Sequence, residues 1–102
     1  MTDGFAYHFE WDVAKAKSNR HKHGLSFDEA VAVFSDPLML SIPDIVHSET
    51  EERWVTLGMS QNNQLIVVIH TFDDSGIESA TIRIISTRPA TKHERRQYEN
   101  DQ

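Results

Sequence analysis

The sequence contains no cysteine in its 102 residues. Small secreted domains usually carry disulfides, so this absence excludes a disulfide-stapled scaffold and favours a reducing compartment, with the cytoplasm the expected location. Glycine occurs four times and proline three times, too rarely for a glycine-rich phosphate loop or a proline-rich linker. No apolar run is longer than Leu65 to Ile69, which is far too short to cross a bilayer. Met1 to Glu10 has neither a basic start nor an apolar stretch, so it does not read as a signal peptide. An excess of positive charge is missing too. The formal net charge is -6 and the pI about 5.4, which runs against a general nucleic-acid binder.

What is present fits one ordinary folded domain spanning residues 1–102. Hydrophobic residues make up 38% and charged residues 25% of the chain, close to average globular usage. The charge is unevenly spread. Residues 26 to 60 carry seven acidic groups against Arg53 alone, whereas residues 1 to 25 and 81 to 102 each carry more basic than acidic groups. If the two ends meet in space, they form a cationic patch on an acidic body.

Tyr7 to Trp11 is aromatic and suits a strand. Asp12 can cap a helix from Val13 to about His23, with Gly24 placed for a left-handed C-terminal turn. Ser26-Phe27-Asp28-Glu29 has capping-box spacing. Phe27, Ala30, Val31 and Phe34 then mark one apolar helical face, and Asp36-Pro37 ends it. Leu38 to Ile42 reads as a strand and Pro43 to Glu52 as a polar loop. Arg53 to Ser60 alternates like a half-buried strand. Gln64 to Phe72 is a near-continuous apolar run, as in a central strand. Asp73 to Gly76 is a turn, Ile77 to Thr87 the last strand, and Thr91 to Glu94 a second capping box opening a helix that ends near Asn100. The expected fold is α+β, a small, mainly antiparallel sheet in the order β-α-α-β-β-β-β-α. Its helices lie on one face, leaving the other free for a ligand.

Several residues break the apolar pattern. His70 interrupts a strand and falls on the side of Ile66 and Val68. It reads either as a core histidine bonded to a carbonyl or as a proton carrier on the open face. Arg83 interrupts Thr81 to Ile85, and must be paired or face an open surface. Arg53 stands alone among acids, and Arg88 lies just past the last strand. Lys22 and His23 end the first helix, where the helix dipole alone accounts for cations. Glu49, Glu51 and Glu52 read as a solvated acidic face. His21 and His23 lie two residues apart on a helix, the wrong spacing for a metal pair. No HExxH or cysteine cluster is present, so neither a metal nor a cofactor is expected. Arginines and histidines together suit a polyanion. RNA carries its own nucleophile, the 2′-hydroxyl, so an enzyme need only remove its proton and neutralise the phosphate.

The order and spacing of several motifs resemble BrnT-type toxins of type II toxin–antitoxin systems. They are Phe9-Glu10-Trp11-Asp12, Lys22 to Ala30, Phe34-Ser35-Asp36-Pro37, Glu52-Arg53, Gly58, Ile84 to Arg88 and Glu94 to Glu99. The resemblance implies a RelE-like fold and RNA cleavage that arrests translation and growth. It implies a BrnA-like ribbon-helix-helix antitoxin as partner, with operator DNA contacted only through that antitoxin. Carried across residue by residue, it marks Lys22, His23, Arg53, His70, Arg83, Arg88 and Tyr98. The roles expected are phosphate binding by Arg53, Arg83 and Arg88, and proton transfer by His23 or His70 with Tyr98 or Lys22 assisting. Two other readings stay open: a non-catalytic binding module or inactive relic that holds such an antitoxin, and a metal-dependent nuclease using the histidines.

Overall fold

A computed structural model describes residues 6–47, 52–74 and 76–100. The elements run β1 (Ala6–Glu10), α1 (Val13–His23), α2 (Phe27–Val31), a 3-10 turn (Ala32–Ser35), β2 (Leu40–Pro43), a 3-10 turn (Ile45–His47), β3 (Trp54–Met59), β4 (Leu65–His70), β5 (Ser79–Pro89) and α3 (Lys92–Asn100). The acidic residues Glu49 and Glu51 and the turn residue Ser75 lie outside the described residues.

Local signals account for the helix ends. The Asp12 carboxylate accepts from the Lys15 amide at 3.0 Å, and Gly24 closes α1 at φ 72°, a conformation that costs glycine little. Ser26 and Glu29 satisfy each other's backbone amides, and Thr91 and Glu94 repeat the exchange at the start of α3. The second helix is shorter than its apolar spacing predicts. After Val31 it tightens into the 3-10 turn, which brings Phe34 over the sheet.

The five strands form one sheet in the order β1-β5-β4-β3-β2. Three pairings are antiparallel, as short connections require. β1 lies parallel to β5, with Glu10 opposite Arg83, so the sheet is mixed. The long stretch of chain between these two strands permits this pairing, and no local pattern in the sequence announces it.

The expectation that all helices share one face is overturned. Ile66 and Val68 of β4 pack with Leu25, Phe27, Ala30 and Val33 beneath α1 and α2. The alternate residues Leu65 and Val67 pack with Leu57 and with Tyr98 of α3 on the reverse side. β4 is apolar on both faces because both are covered at this point. Gly58 of β3 is a point of close approach to the turn above it. A Cβ there would stand 2.8 Å from Val33 and 3.2 Å from Asp36.

A β-bulge in β5 decides which of its side chains share a face. Ile69 pairs with Ser86 but His70 pairs with Ile84, leaving Ile85 as an extra residue. Residues five apart on a regular strand point to opposite faces. The extra residue reverses that parity, so Arg83 and Arg88 project from the same side, the side of α3.

Candidate active site

By continued alternation from Val55 and Leu57, Arg53, the residue before β3, is also set toward the α3 side. Arg53 and Arg83 line a cavity of about 330 Å³ together with Asp12, Lys15, Ile84 and Ile85. Three cationic side chains, from the residue before β3, from β5 and from α1, thus border one depression. Arginine suits a phosphate there because its planar donors engage two oxygens at once.

The other expected site residues lie elsewhere. Arg88 is on the same sheet face but about 15 Å along β5 from Arg83 at ordinary strand rise. Both its terminal nitrogens donate to Glu94 at 2.8 Å. His70 is buried on the opposite face, under α2 and its 3-10 turn, with its ring edge-on to Phe34 at 4.9 Å. It is bonded to Thr56 at 2.6 Å and to the Thr71 carbonyl at 3.0 Å. Burial pushes its pKa below the ordinary value, against a weaker opposing effect of the Thr71 carbonyl. The core reading of this histidine therefore describes its surroundings, and the expected open-face placement is corrected. Tyr98 is also buried, and its hydroxyl donates to Asp36 at 2.6 Å. Lys22 and His23 end α1 about 12 Å along the helix from Lys15, by the rise per residue. The structure brings Arg53 and Arg83 together and disperses the rest.

The family model described as "Ribonuclease toxin, BrnT, of type II toxin-antitoxin system" matches residues 11–94. The chain belongs to the BrnT ribonuclease toxin family. Among solved structures it is similar to the Brucella abortus ribonuclease toxin, BrnT, known from a 1.1 Å crystal structure. The two share 27% identity with a TM-score of 0.59, covering 85% of this chain and 100% of the other. No curated protein sequence matches the chain.

Two further residues on the side of the arginines are not singled out by composition or spacing. Lys15 is one charge among several on the polar helix α1. Alternation from Phe9, which packs against the core, puts His8 on the same outward face as Glu10. The parallel pairing of β1 with β5 sets His8 opposite Thr81 and Glu10 opposite Arg83, and Lys15 borders the arginine cavity from α1. His93 of α3 borders a neighbouring groove of about 720 Å³ floored by Leu40, Val55, Leu57 and Val67. Among the described residues, no three His, Asp or Glu side chains stand close enough to hold a metal ion. No described helix is long and apolar enough to span a membrane.

The Arg88–Glu94 pair anchors α3 to the sheet and makes stability pH-dependent. The Arg88 guanidinium, helped by the Thr91 amide, brings the Glu94 pKa down to about 2 against the opposing effect of burial. The folded value lies below the unfolded one, so this contribution is complete above about pH 4.5 and is lost as pH falls toward 2. Glu29 and Asp36 shift in the same direction. His70, held neutral, adds a loss of stability that begins below its unfolded value of 6.5. Urea unfolding is expected to show stability falling throughout this acid range. Glu94→Gln removes about 1–2 kcal/mol at pH 7, a figure reduced because Arg88 is partly exposed, and flattens the profile between pH 4.5 and 2.

Proposed function

We propose that this BrnT-family chain cleaves RNA by attack of a 2′-hydroxyl on the adjacent phosphodiester, without a metal ion. The attacking hydroxyl gives up its proton and its oxygen bonds to phosphorus. The bond to the 5′-oxygen breaks, and that oxygen takes a proton. The products are a 2′,3′-cyclic phosphate and a 5′-hydroxyl. The observation that carries this reading is the shared cavity of Arg53 and Arg83, with Lys15 on its border. These cations hold the phosphate and stabilise the charge that develops on its oxygens. His8, on the same sheet face, is the histidine assigned to proton transfer. His70, on the opposite face, and His23, at the far end of α1, are assigned no contact with the reacting atoms.

In the cell, cleavage arrests translation and growth in the cytoplasm. A BrnA-like ribbon-helix-helix antitoxin neutralises the toxin and carries the operator DNA contacts of the complex. The fold is then a member of the RelE-like group of ribonuclease toxins. The low pI is consistent with a basic antitoxin segment lying against the acidic stretch from Asp28 to Glu52, and with RNA gripped at one local cationic cavity.

The test is cleavage of RNA by the purified protein in excess EDTA, with the product ends identified. Cleavage yielding 2′,3′-cyclic phosphate and 5′-hydroxyl ends is the expected result. Activity that vanishes with the chelator and returns with a divalent ion sinks the metal-free mechanism. No cleavage by the folded protein under either condition leaves the reading of an inactive relic that binds its antitoxin.

A further inference from the structure

On the opposite face of the sheet, close to the end where β3 begins and β4 stops, lies a second cavity of about 210 Å³. It is lined by Tyr7, Phe34, Met39, Ser41, Trp54, His70 and Phe72. Four of these seven residues are aromatic. Tyr7 and Phe72 keep 39% and 40% of their surface exposed, so the cavity opens to solvent between rings. Trp54 directly follows Arg53 in the chain. The aromatic cavity and the arginine cavity therefore meet across the rim of the sheet at the Arg53–Trp54 step.

A polar chain of His70, Thr56 and Ser41 reaches this cavity, and its geometry sets its direction. His70 Nδ1 lies 3.0 Å from the Thr71 carbonyl, which can only accept, so Nδ1 carries the proton. In the neutral ring Nε2 is then an acceptor. The Thr56 hydroxyl, 2.6 Å away, donates to it. That commits the Thr56 proton, so the Ser41 hydroxyl, 2.6 Å further on, donates to the Thr56 oxygen. Ser41 has used its own proton, and its oxygen presents an acceptor at the cavity wall. The buried histidine thereby fixes the polarity of an exposed serine.

We propose that this cavity holds one unpaired base of the RNA substrate, stacked among Tyr7, Trp54 and Phe72, with its exocyclic amino group donating to Ser41. The inference rests on the ribonuclease reading and adds a base preference to it. Aromatic surfaces stack on any base, whereas an acceptor at the wall selects bases that present an amino group, adenine and cytosine, over those that present a carbonyl oxygen at the equivalent position, guanine and uracil. The occupied nucleotide is one flanking the cleaved bond, with its backbone passing over the Arg53–Trp54 rim.

Binding of AMP and IMP to the full chain, followed by NMR titration, tests the site without requiring cleavage. The two ligands differ at the position where adenine carries its amino group. AMP is expected to bind about tenfold more tightly than IMP, the effect of one well-placed hydrogen bond. Ser41→Ala should make the two equal. Trp54→Leu should weaken AMP roughly 5- to 150-fold, as loss of a stacking partner does. Trp54→Phe keeps a ring and serves as the control for folding, so it should bind nearly as well as the parent. Equal affinity for AMP and IMP, or AMP binding that Trp54→Leu leaves unchanged in a folded protein, overturns the proposal. If that result comes with RNA still cleaved in EDTA, the ribonuclease reading survives alone. If the AMP preference holds but RNA stays intact, the base site stands and the ribonuclease reading fails.

Discussion

Replacing Arg83 with alanine is expected to lower RNA cleavage by about 10²–10³-fold, the usual cost of removing one charged donor from a developing anion. The fold should survive, because the strand around it is anchored by residues on the other face. Ile82 and Ile84 are buried beneath α1 and α2, and neither changes its contacts when Arg83 is truncated. Arg53→Ala should have a comparable effect, since the two side chains border one cavity, from β5 and from the residue before β3. The double variant should lose less than the product of the two single losses, because groups acting as one unit are not additive. Arg83→Lys keeps the charge but loses the planar pair of donors, and should recover only part of the rate. Arg88→Ala separates cleanly from these. Its guanidinium is held by Glu94, so its loss should appear in urea unfolding and much less in the cleavage step. Single-turnover cleavage in EDTA measures the first effect and denaturation the second. In cells, inducing the Arg83→Ala protein should permit growth where the parent arrests it. An Arg83→Ala protein that cleaves at the parental rate would remove the arginine cavity from the mechanism.

The arginines were legible in the sequence as anomalies, because a charge inside an apolar strand is costly unless something engages it. Their convergence was not legible. It depends on the extra residue at Ile85, which turns Arg83 and Arg88 to the same side. It depends equally on the parallel placement of β1, which adds His8 and Glu10 to the edge of that face. Both are long-range facts of pairing, and the local pattern of residues contains neither. The helix caps were legible for the opposite reason, since Asp12, Ser26 and Thr91 each act on amides within three residues. The near-continuous apolar character of β4 marked it as central, as observed. The same pattern also signalled cover on both faces, which conflicts with a sheet left wholly open on one side. Tyr98 is the residue that resolves the conflict, by packing α3 over Leu65 and Val67. His70 shows how face matters more than residue type: its register with Trp54 and Ile84 puts it among the buried residues on the side of α1 and α2.

Asp36 is a short-range helix stop in the sequence and a long-range clasp in the structure, and its replacement by alanine should cost about 2–4 kcal/mol, the loss of several hydrogen bonds to one charged acceptor. One carboxylate oxygen accepts from the Met59 amide at 2.9 Å and from the Tyr98 hydroxyl at 2.6 Å. The other accepts from the Leu38 amide at 2.8 Å. Asp36 therefore ties the 3-10 turn to β3 and to α3, beyond the point where β2 has left the sheet. Desolvation raises its pKa, but the bonds from Tyr98, Met59 and Leu38 outweigh that and hold it below the ordinary carboxylate value. The stability it supplies is thus present above about pH 4 and is lost as pH falls through the lowered folded value. Asp36→Asn should be nearly as damaging as Asp36→Ala. Three donors converge on the carboxylate, and an amide can turn only one oxygen toward them while its NH₂ group meets another donor. Tyr98→Phe removes the bond to Asp36 and should cost about 1–2 kcal/mol. The same variant decides what Tyr98 is for. If the tyrosine serves only to hold α3 through Asp36, Tyr98→Phe lowers the urea midpoint while single-turnover cleavage, measured well below that midpoint, keeps the parental rate and pH profile. A variant that stays as stable as the parent yet cleaves RNA far more slowly would place the Tyr98 hydroxyl in the chemistry and remove it from the clasp.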